Sequence, residues 1–429
     1  MKSIVKVGIA GLGTVGSGVA KLLVANADVV EARTGTAIKV VAVSARRQVS
    51  RGFDMDGIRW YEDARDLAKD PEVDIVVEVI GGSEGIAKEV CELALKQGKH
   101  VVTANKALIA HHGIELATLA ESQRKVLAFE AAVAGGIPIL KMLKEGLAAN
   151  RFSRVAGILN GTGNYILTTM QQTGKDFEVV LKEAQDLGYA EADPSFDVDG
   201  IDAAHKLAIL ASLAFGTKIA FDEVYIEGIR HINSDDIRYA EELGMKIKLL
   251  GICQYDGSSL RQSVYPCLVS LAHPIAKVDG VFNAVEVEGD PVGKMMIQGR
   301  GAGEGPTASA VVADIVDIAS LRRTYPFGMA LSQLHDPKHL SQDDYEGSFY
   351  VRLRVQDSKG VVADVTRILS QFNISIDSFS QKAHQDPHAV KVMLSTHRTT
   401  ENNLKEALAA IKSLSSVISE PVMIRIAAV

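Results

Sequence analysis

Between Tyr189 and Leu207 the sequence reads YAEADPSFDVDGIDAAHKL, placing five carboxylates (Glu191, Asp193, Asp197, Asp199 and Asp202) just ahead of His205 and Lys206. Such a run suits a metal loop, a solvated acidic face or an acid–base site. Calcium fails on register: with Ser195, Asp197, Asp199 and Gly200 in positions 1, 3, 5 and 6 of an EF-hand loop, the position that demands a bidentate Glu falls on Lys206. A solvated face accounts for part of the run, since Asp193-Pro194 starts a turn and Asp199 is placed to cap the helix that follows. That helix, Gly200 to Phe215, is otherwise almost wholly apolar and is expected to be buried. Asp202 and Lys206 lie four residues apart on one of its faces. A carboxylate and an ammonium entering a buried helix side by side need each other or a ligand. One reading is a structural ion pair; the other is a lysine poised to give a proton to a developing alkoxide. Glu191 offers a negative site for a cationic substrate group, and His205 reads as packing.

A second chemical motif opens the chain. Gly11-Leu12-Gly13-Thr14-Val15-Gly16 matches GxGxxG between an expected strand, Ile4 to Ala10, and an amphipathic helix ending near Asn26. In that context the glycines allow a dinucleotide's diphosphate to approach a helix N-terminus. The next strand, KVVAVSARR, ends without the acidic residue that holds a ribose 2′-hydroxyl and offers Ser44, Arg46 and Arg47 instead. That set suits a 2′-phosphate, hence NADP in preference to NAD, although enzymes of this kind often accept both.

The elements that must hold these groups follow from periodicity. Through the first third, buried strands (Ile38 to Ser44, Val73 to Ile80, His100 to Thr103, and VLAFEA around Val126) alternate with helices, the pattern of a parallel, doubly wound sheet. Helices dominate from Thr162 to Phe215; longer strand-like segments follow, then a helix from Thr307, suggesting an α+β unit. Arg323 to Gly347 lacks periodicity and reads as a linker. The last stretch runs β-α-β-β-α-β, the split-βαβ order of a ferredoxin-like unit. The expected division is 1–135 dinucleotide-binding, 136–322 substrate-binding, 323–347 linker and 348–429 a small C-terminal domain.

Composition narrows the function classes. The chain has 429 residues, 47% hydrophobic and 23% charged, with a net charge of −7. That acidic balance, without basic tracts, argues against nucleic-acid binding. Cys91, Cys253 and Cys267 are too far apart for a disulfide framework or a thiolate zinc site. No apolar run reaches a membrane span, and the N-terminus reads as a strand, not a signal peptide, so a cytoplasmic protein is expected.

GYAEADPSFDVDGIDAAHKLAIL resembles the signature of homoserine dehydrogenases. The likeness extends to the glycine loop, VVTANKAL from Val101, FEAAVAGGIPI from Phe129, ILNGTGNYIL from Ile158 and GRGAGEGPTASAVVADIVDIA from Gly299, covering roughly residues 1–322. The C-terminal unit resembles an ACT domain. The resemblance implies a Rossmann domain, a substrate-binding and dimerisation domain, and NADP(H)-linked interconversion of L-aspartate 4-semialdehyde and L-homoserine in threonine and methionine biosynthesis. It implies that Lys206 and Lys106 flank the reacting carbon, with Asp202 holding Lys206, and that Glu191 and Asp197 bind the substrate ammonium. Asn160, Gly161 and Thr162 would line the pocket, and Gly81 and Gly303 would approach the cofactor. It further implies a monovalent cation, sodium, on Glu130 and the carbonyls of Val133, Gly135 and Ile137. Threonine is the implied effector, at the loop Asp357, Gly360 and Val361, and the assembly a homodimer or homotetramer; a decayed ACT site serving only oligomerisation is the competing reading. GGSEG lacks the family's usual proline near Gly85, and Arg300 and Glu304 replace smaller or apolar residues.

Two rival classes fare worse. An acylating aldehyde dehydrogenase needs an activated cysteine, and none of the three sits in a plausible motif. A non-catalytic amino-acid sensor has no use for Glu191, Asp202, Lys206 and Lys106 together.

Overall fold

The computed structural model describes residues 4–47, 52–383 and 389–427. Six strands form one parallel sheet: β1 (Ile4–Ala10), β2 (Ala37–Ser44), β3 (Arg59–Tyr61), β4 (Ile75–Glu78), β5 (His100–Thr103) and β6 (Leu127–Ala128), in the order β3-β2-β1-β4-β5-β6. The strand order reverses between β1 and β4, and a ligand crevice forms outside the strand ends at such a switch point. Here the glycine loop leaves β1 with Gly11 N–H bonded to the Ser44 carbonyl at 2.8 Å. A Cβ on Gly16 would lie 1.9 Å from the Gly11 carbonyl oxygen, so the close turn requires glycine. Strand β3 has only three residues and leaves no readable alternation.

Helix Glu304–Ala319 lies far along the chain but packs back onto helix Thr14–Ala25. Its Ala308, Val311 and Ile315 share one core with Val7, Ile9 and Val19. The cofactor-binding unit thus receives a wall from the second part of the chain.

The second sheet is mixed and has twelve strands. Its main path runs Gly293–Arg300, Phe282–Asp290, Arg151–Ile158, Met245–Tyr255, Ser259–Ser270, Val422–Ile426, Glu346–Gln356, Ala389–Thr396, Ile376–Ala383. The last four are the C-terminal unit's own strands, ordered fourth, first, third, second as in a ferredoxin-like fold. That unit is therefore no separate body: Val422–Ile426 pairs in parallel with Ser259–Ser270, Cys267 opposite Arg425.

The stretch 323–347 also differs from the expected loose linker. Phe327 is fully buried against Phe129, and Lys338–His339 adds a short strand to Ser259–Ser270. Aperiodicity signalled an absence of regular elements, not of packing. No helix among the described residues is long and apolar enough to cross a membrane.

Candidate active site

Helix Ile201–Phe215 carries thirteen buried residues, including Asp202, His205 and Lys206. It starts from Gly200 at φ +87°, a left-handed residue that turns the chain out of the short helix Ser195–Val198. Asp202 and Lys206 then face a cavity of about 580 Å³ bounded also by Lys106, Asn160, Asp197 and Gly303.

Asp202 receives an ammonium on each oxygen. Lys206 Nζ lies 2.7 Å from Oδ2, and Lys106 Nζ, from the first turn of helix Lys106–Ser122, lies 2.9 Å from Oδ1. Asn160 ties the group together: its Nδ2 donates to Asp202 Oδ2 at 2.8 Å and to Asp197 Oδ1 at 2.7 Å. Its Oδ1 caps helix Gly161–Thr173 by accepting from Gly163 N–H at 2.7 Å. Lys206 Nζ also donates to the Leu159 carbonyl at 2.7 Å. An ammonium has three donors, so one N–H of Lys206 remains for a ligand.

Electrostatics separate these groups. Burial would raise the Asp202 carboxyl, but the charges of Lys206 and Lys106 overcome it and hold the group well below the usual carboxylate range. Burial, opposed by Asp202, pulls the Lys206 ammonium below its ordinary value. Asp197 moves up, first by burial and then by the Asp202 charge, against the hydrogen bond from Asn160. The arrangement can hold a proton donor and its counter-ion dry while admitting a small polar ligand.

Of the residues read from sequence, Lys106, Asp202, Lys206, Asn160, Gly161 and Thr162 line this cavity. So do Asp197, Val15, Gly135 and Gly303. Glu191 does not: it is exposed and outside the lining, while its backbone carbonyl accepts from Gln185. The turn that brings Tyr189 to the cavity carries Glu191 away. Asp199 also differs, because the helix start is taken by Gly200; its carboxylate instead pairs with Arg230 at 2.5 Å. Asp193 shapes the turn as expected, accepting from Ser195 N–H at 3.1 Å. His205 packs, stacked on Phe221 with centroids 4.3 Å apart, and burial with the neighbouring His111 pushes its imidazole down to about 4.

At the cofactor side, Gly13 precedes helix Thr14–Ala25 with no side-chain cap and no acidic residue in the first turn, leaving its N–H groups for an anion. Leu12 is buried, and Gly81 holds φ +91° beside the Glu78 carboxylate. Arg46 and Arg47 are exposed just past β2. Glu130 is buried; its two carboxylate oxygens accept from Leu140 N–H at 2.9 Å and Lys141 N–H at 2.8 Å. Burial and the nearby Asp314 push its carboxyl up to about 7. The Ile137 carbonyl accepts from Ile139 N–H at 2.8 Å, and Gly135 sits at φ +51° in the loop between. In the C-terminal unit, exposed Asp357 follows the first strand, Gly360 takes φ +93°, and buried Val361 opens helix Val361–Gln371.

Two residues of this region have no counterpart in the sequence reading. Asn283 is buried and donates to the Leu159 carbonyl at 3.0 Å, the acceptor that Lys206 also uses. Glu78, fully buried at the end of β4, accepts from Thr103 Oγ1 at 2.5 Å and Ile80 N–H at 2.7 Å. Asn105, beside Lys106, closes that ring by donating to the Gly82 carbonyl at 2.6 Å. The available signal was a lone polar side chain inside an apolar strand, since such a group is kept only when it is bonded.

Comparison with known proteins decides the family. The profile described as "Homoserine dehydrogenase" matches residues 138–316, "Homoserine dehydrogenase, NAD binding domain" 11–130, and "ACT domain" 349–416. The homoserine dehydrogenase of Pseudomonas aeruginosa is 46% identical over 429 residues, 98% of each chain. The chain belongs to the homoserine dehydrogenase family. It is an oxidoreductase, with the family's dinucleotide-binding, catalytic and ACT portions in one polypeptide. The solved homoserine dehydrogenase of Thiobacillus denitrificans superposes with a TM-score of 0.93 at 45% identity, covering 100% of this chain and 99% of that one. A hyperthermophilic archaeal homoserine dehydrogenase in complex with NADPH matches at a TM-score of 0.64 and 28% identity, covering 75% of this chain and 99% of its own.

Proposed function

We propose that this homoserine dehydrogenase interconverts L-aspartate 4-semialdehyde and L-homoserine with NADP(H), in threonine and methionine biosynthesis. The observation that carries the reading is Asp202, held between Lys206 and Lys106 and tied to Asp197 through Asn160. Bound nicotinamide supplies or accepts the hydride. Lys206 gives its proton to the aldehyde oxygen during reduction and takes it back from the hydroxyl during oxidation, while Asp202 keeps both lysines in place. Asp197 receives the substrate ammonium, with Glu191 reaching it only if its turn folds inward on binding. The N–H groups opening helix Gly161–Thr173, with Thr162, receive the carboxylate.

Arg46 and Arg47, exposed where an acidic residue would select NAD, support NADP, as does the relative solved with NADPH. A sodium ion at Glu130 completes the reading: the donors are oxygens, and each Glu130 oxygen keeps a lone pair after accepting its backbone N–H. Val133, Gly135 and Ile137 would complete the ligand set through their carbonyls. The ACT portion supports an amino-acid effector, threonine, at Asp357 to Val361. Three buried free thiols suit a reducing compartment, the cytoplasm, and the family likeness extends to a homodimer or homotetramer. Purified protein given L-homoserine and NADP should generate NADPH absorbance. Absence of turnover in both directions, with cofactor bound, would overturn the reading.

A further inference from the structure

The cavity carries a basic side chain that the acid–base cluster does not engage. Lys106 and Lys206 share Asp202, but Arg300, which lines the same cavity, makes no ion pair or side-chain hydrogen bond among the described residues. Glu304, the carboxylate nearest it in sequence, is already paired with Lys21 at 2.8 Å.

The backbone beneath Arg300 is held on both sides. Its carbonyl accepts from Gly136 N–H at 3.1 Å, and it pairs with Phe282 in the sheet. A Cβ on Gly135 would lie 2.3 Å from the Gly301 carbonyl oxygen, and one on Gly301 would lie 2.2 Å from the Asn283 amide. Arg300 therefore presents an exposed guanidinium from a fixed ledge. Three residues later Gly303, at φ +118°, opens helix Glu304–Ala319, which packs along helix Thr14–Ala25. Val15, Arg300 and Gly303 all line the one cavity, so the N-termini of these two helices border it together with the Arg300 guanidinium.

We propose that Arg300 receives an oxyanion of a bound ligand at this cavity. Two ligands of the proposed reaction bring that chemistry: the diphosphate of the nicotinamide cofactor and the carboxylate of the substrate. The diphosphate has the stronger claim, because it carries uncompensated negative charge, whereas the substrate balances its carboxylate with its own ammonium. A guanidinium suits either through paired N–H donors. The assignment rests on the functional reading above and adds a residue to it.

The test measures NADPH and NADH dissociation constants by nucleotide fluorescence without substrate, then homoserine KM, for wild type, Arg300→Gln and Arg300→Lys. A diphosphate contact predicts that Arg300→Gln weakens both nucleotides equally, by about tenfold, with melting temperature unchanged. Arg300→Lys should keep part of the affinity, and the salt dependence of binding should flatten in Arg300→Gln. A rise in homoserine KM with unchanged nucleotide affinity assigns the oxyanion to the substrate carboxylate instead. No change in either quantity overturns the proposal. A wild type that binds no NADPH overturns the functional reading, and the Arg300 assignment with it.

Discussion

Asp202 is the anion on which two cations depend, and its position explains why an isolated structural ion pair does not describe the site. A pair needs one partner; Asp202 has Lys206, Lys106 and the Asn160 amide. The Asp202–Lys206 half was legible because helical spacing alone puts them on one face. Lys106 comes from a different domain, so no spacing rule reaches it and only the family resemblance did. Glu191 stands outside the cavity lining, and its place in the acidic run could not show that, since a turn residue's direction depends on backbone angles that composition does not carry. The Glu130 carboxyl is raised by burial and by Asp314 to about 7 from an ordinary value near 4.5. The stabilisation associated with its protonated form is complete below the unfolded value and is lost as pH rises through about 7. A cation at Glu130 competes with that proton, so sodium should raise the melting temperature more at pH 8 than at pH 6. Glu130→Gln should remove the difference; equal shifts at both pH values in the wild type would contradict the cation assignment.

At the scale of elements, the strongly periodic segments were readable: β1, helix Thr14–Ala25, β2 and the buried helix Ile201–Phe215 all fall where alternation or helical spacing puts them. β3 escaped because three residues cannot show a period. The location of helix Glu304–Ala319 escaped for a different reason: its apolar face was evident, but which core it joins is a tertiary fact. β2 carries a prediction of its own. Its end is tied to the glycine loop by the Gly11 to Ser44 hydrogen bond, and Arg46 and Arg47 follow two and three residues later, exposed. The wild type should show the higher kcat/KM with NADP, and the double variant Arg46→Ala/Arg47→Ala should lose about tenfold with NADP and little with NAD. Equal efficiency with both cofactors in the wild type would contradict the preference.

At the scale of the whole molecule, the ACT portion is built into the catalytic sheet. Its βαββαβ order was legible from periodicity, but strand pairing between distant segments leaves no local mark. Arg425, fully buried on its last strand, donates to Glu401 Oε2 at 2.8 Å within the ACT portion and to Glu227 Oε2 at 2.7 Å across the boundary. Glu227 belongs to the segment whose Ile229 N–H bonds the Val198 carbonyl at 2.9 Å, next to Asp197. Glu401→Ala leaves the buried Arg425 guanidinium with Glu227 as its remaining carboxylate, so it should cost about 3 kcal/mol, read as a lower urea midpoint. An unchanged midpoint would mean that the Arg425–Glu401 pair adds nothing to the stability of the ACT portion's last strand. Proton transfer by Lys206 is read from NADPH formation from L-homoserine in wild type beside Lys206→Ala, with folding checked by circular dichroism and nucleotide binding. Turnover by wild type is expected, with a loss of roughly a hundredfold or more in a folded variant that still binds NADP. A folded Lys206→Ala variant turning over at the wild-type rate would contradict proton transfer by Lys206.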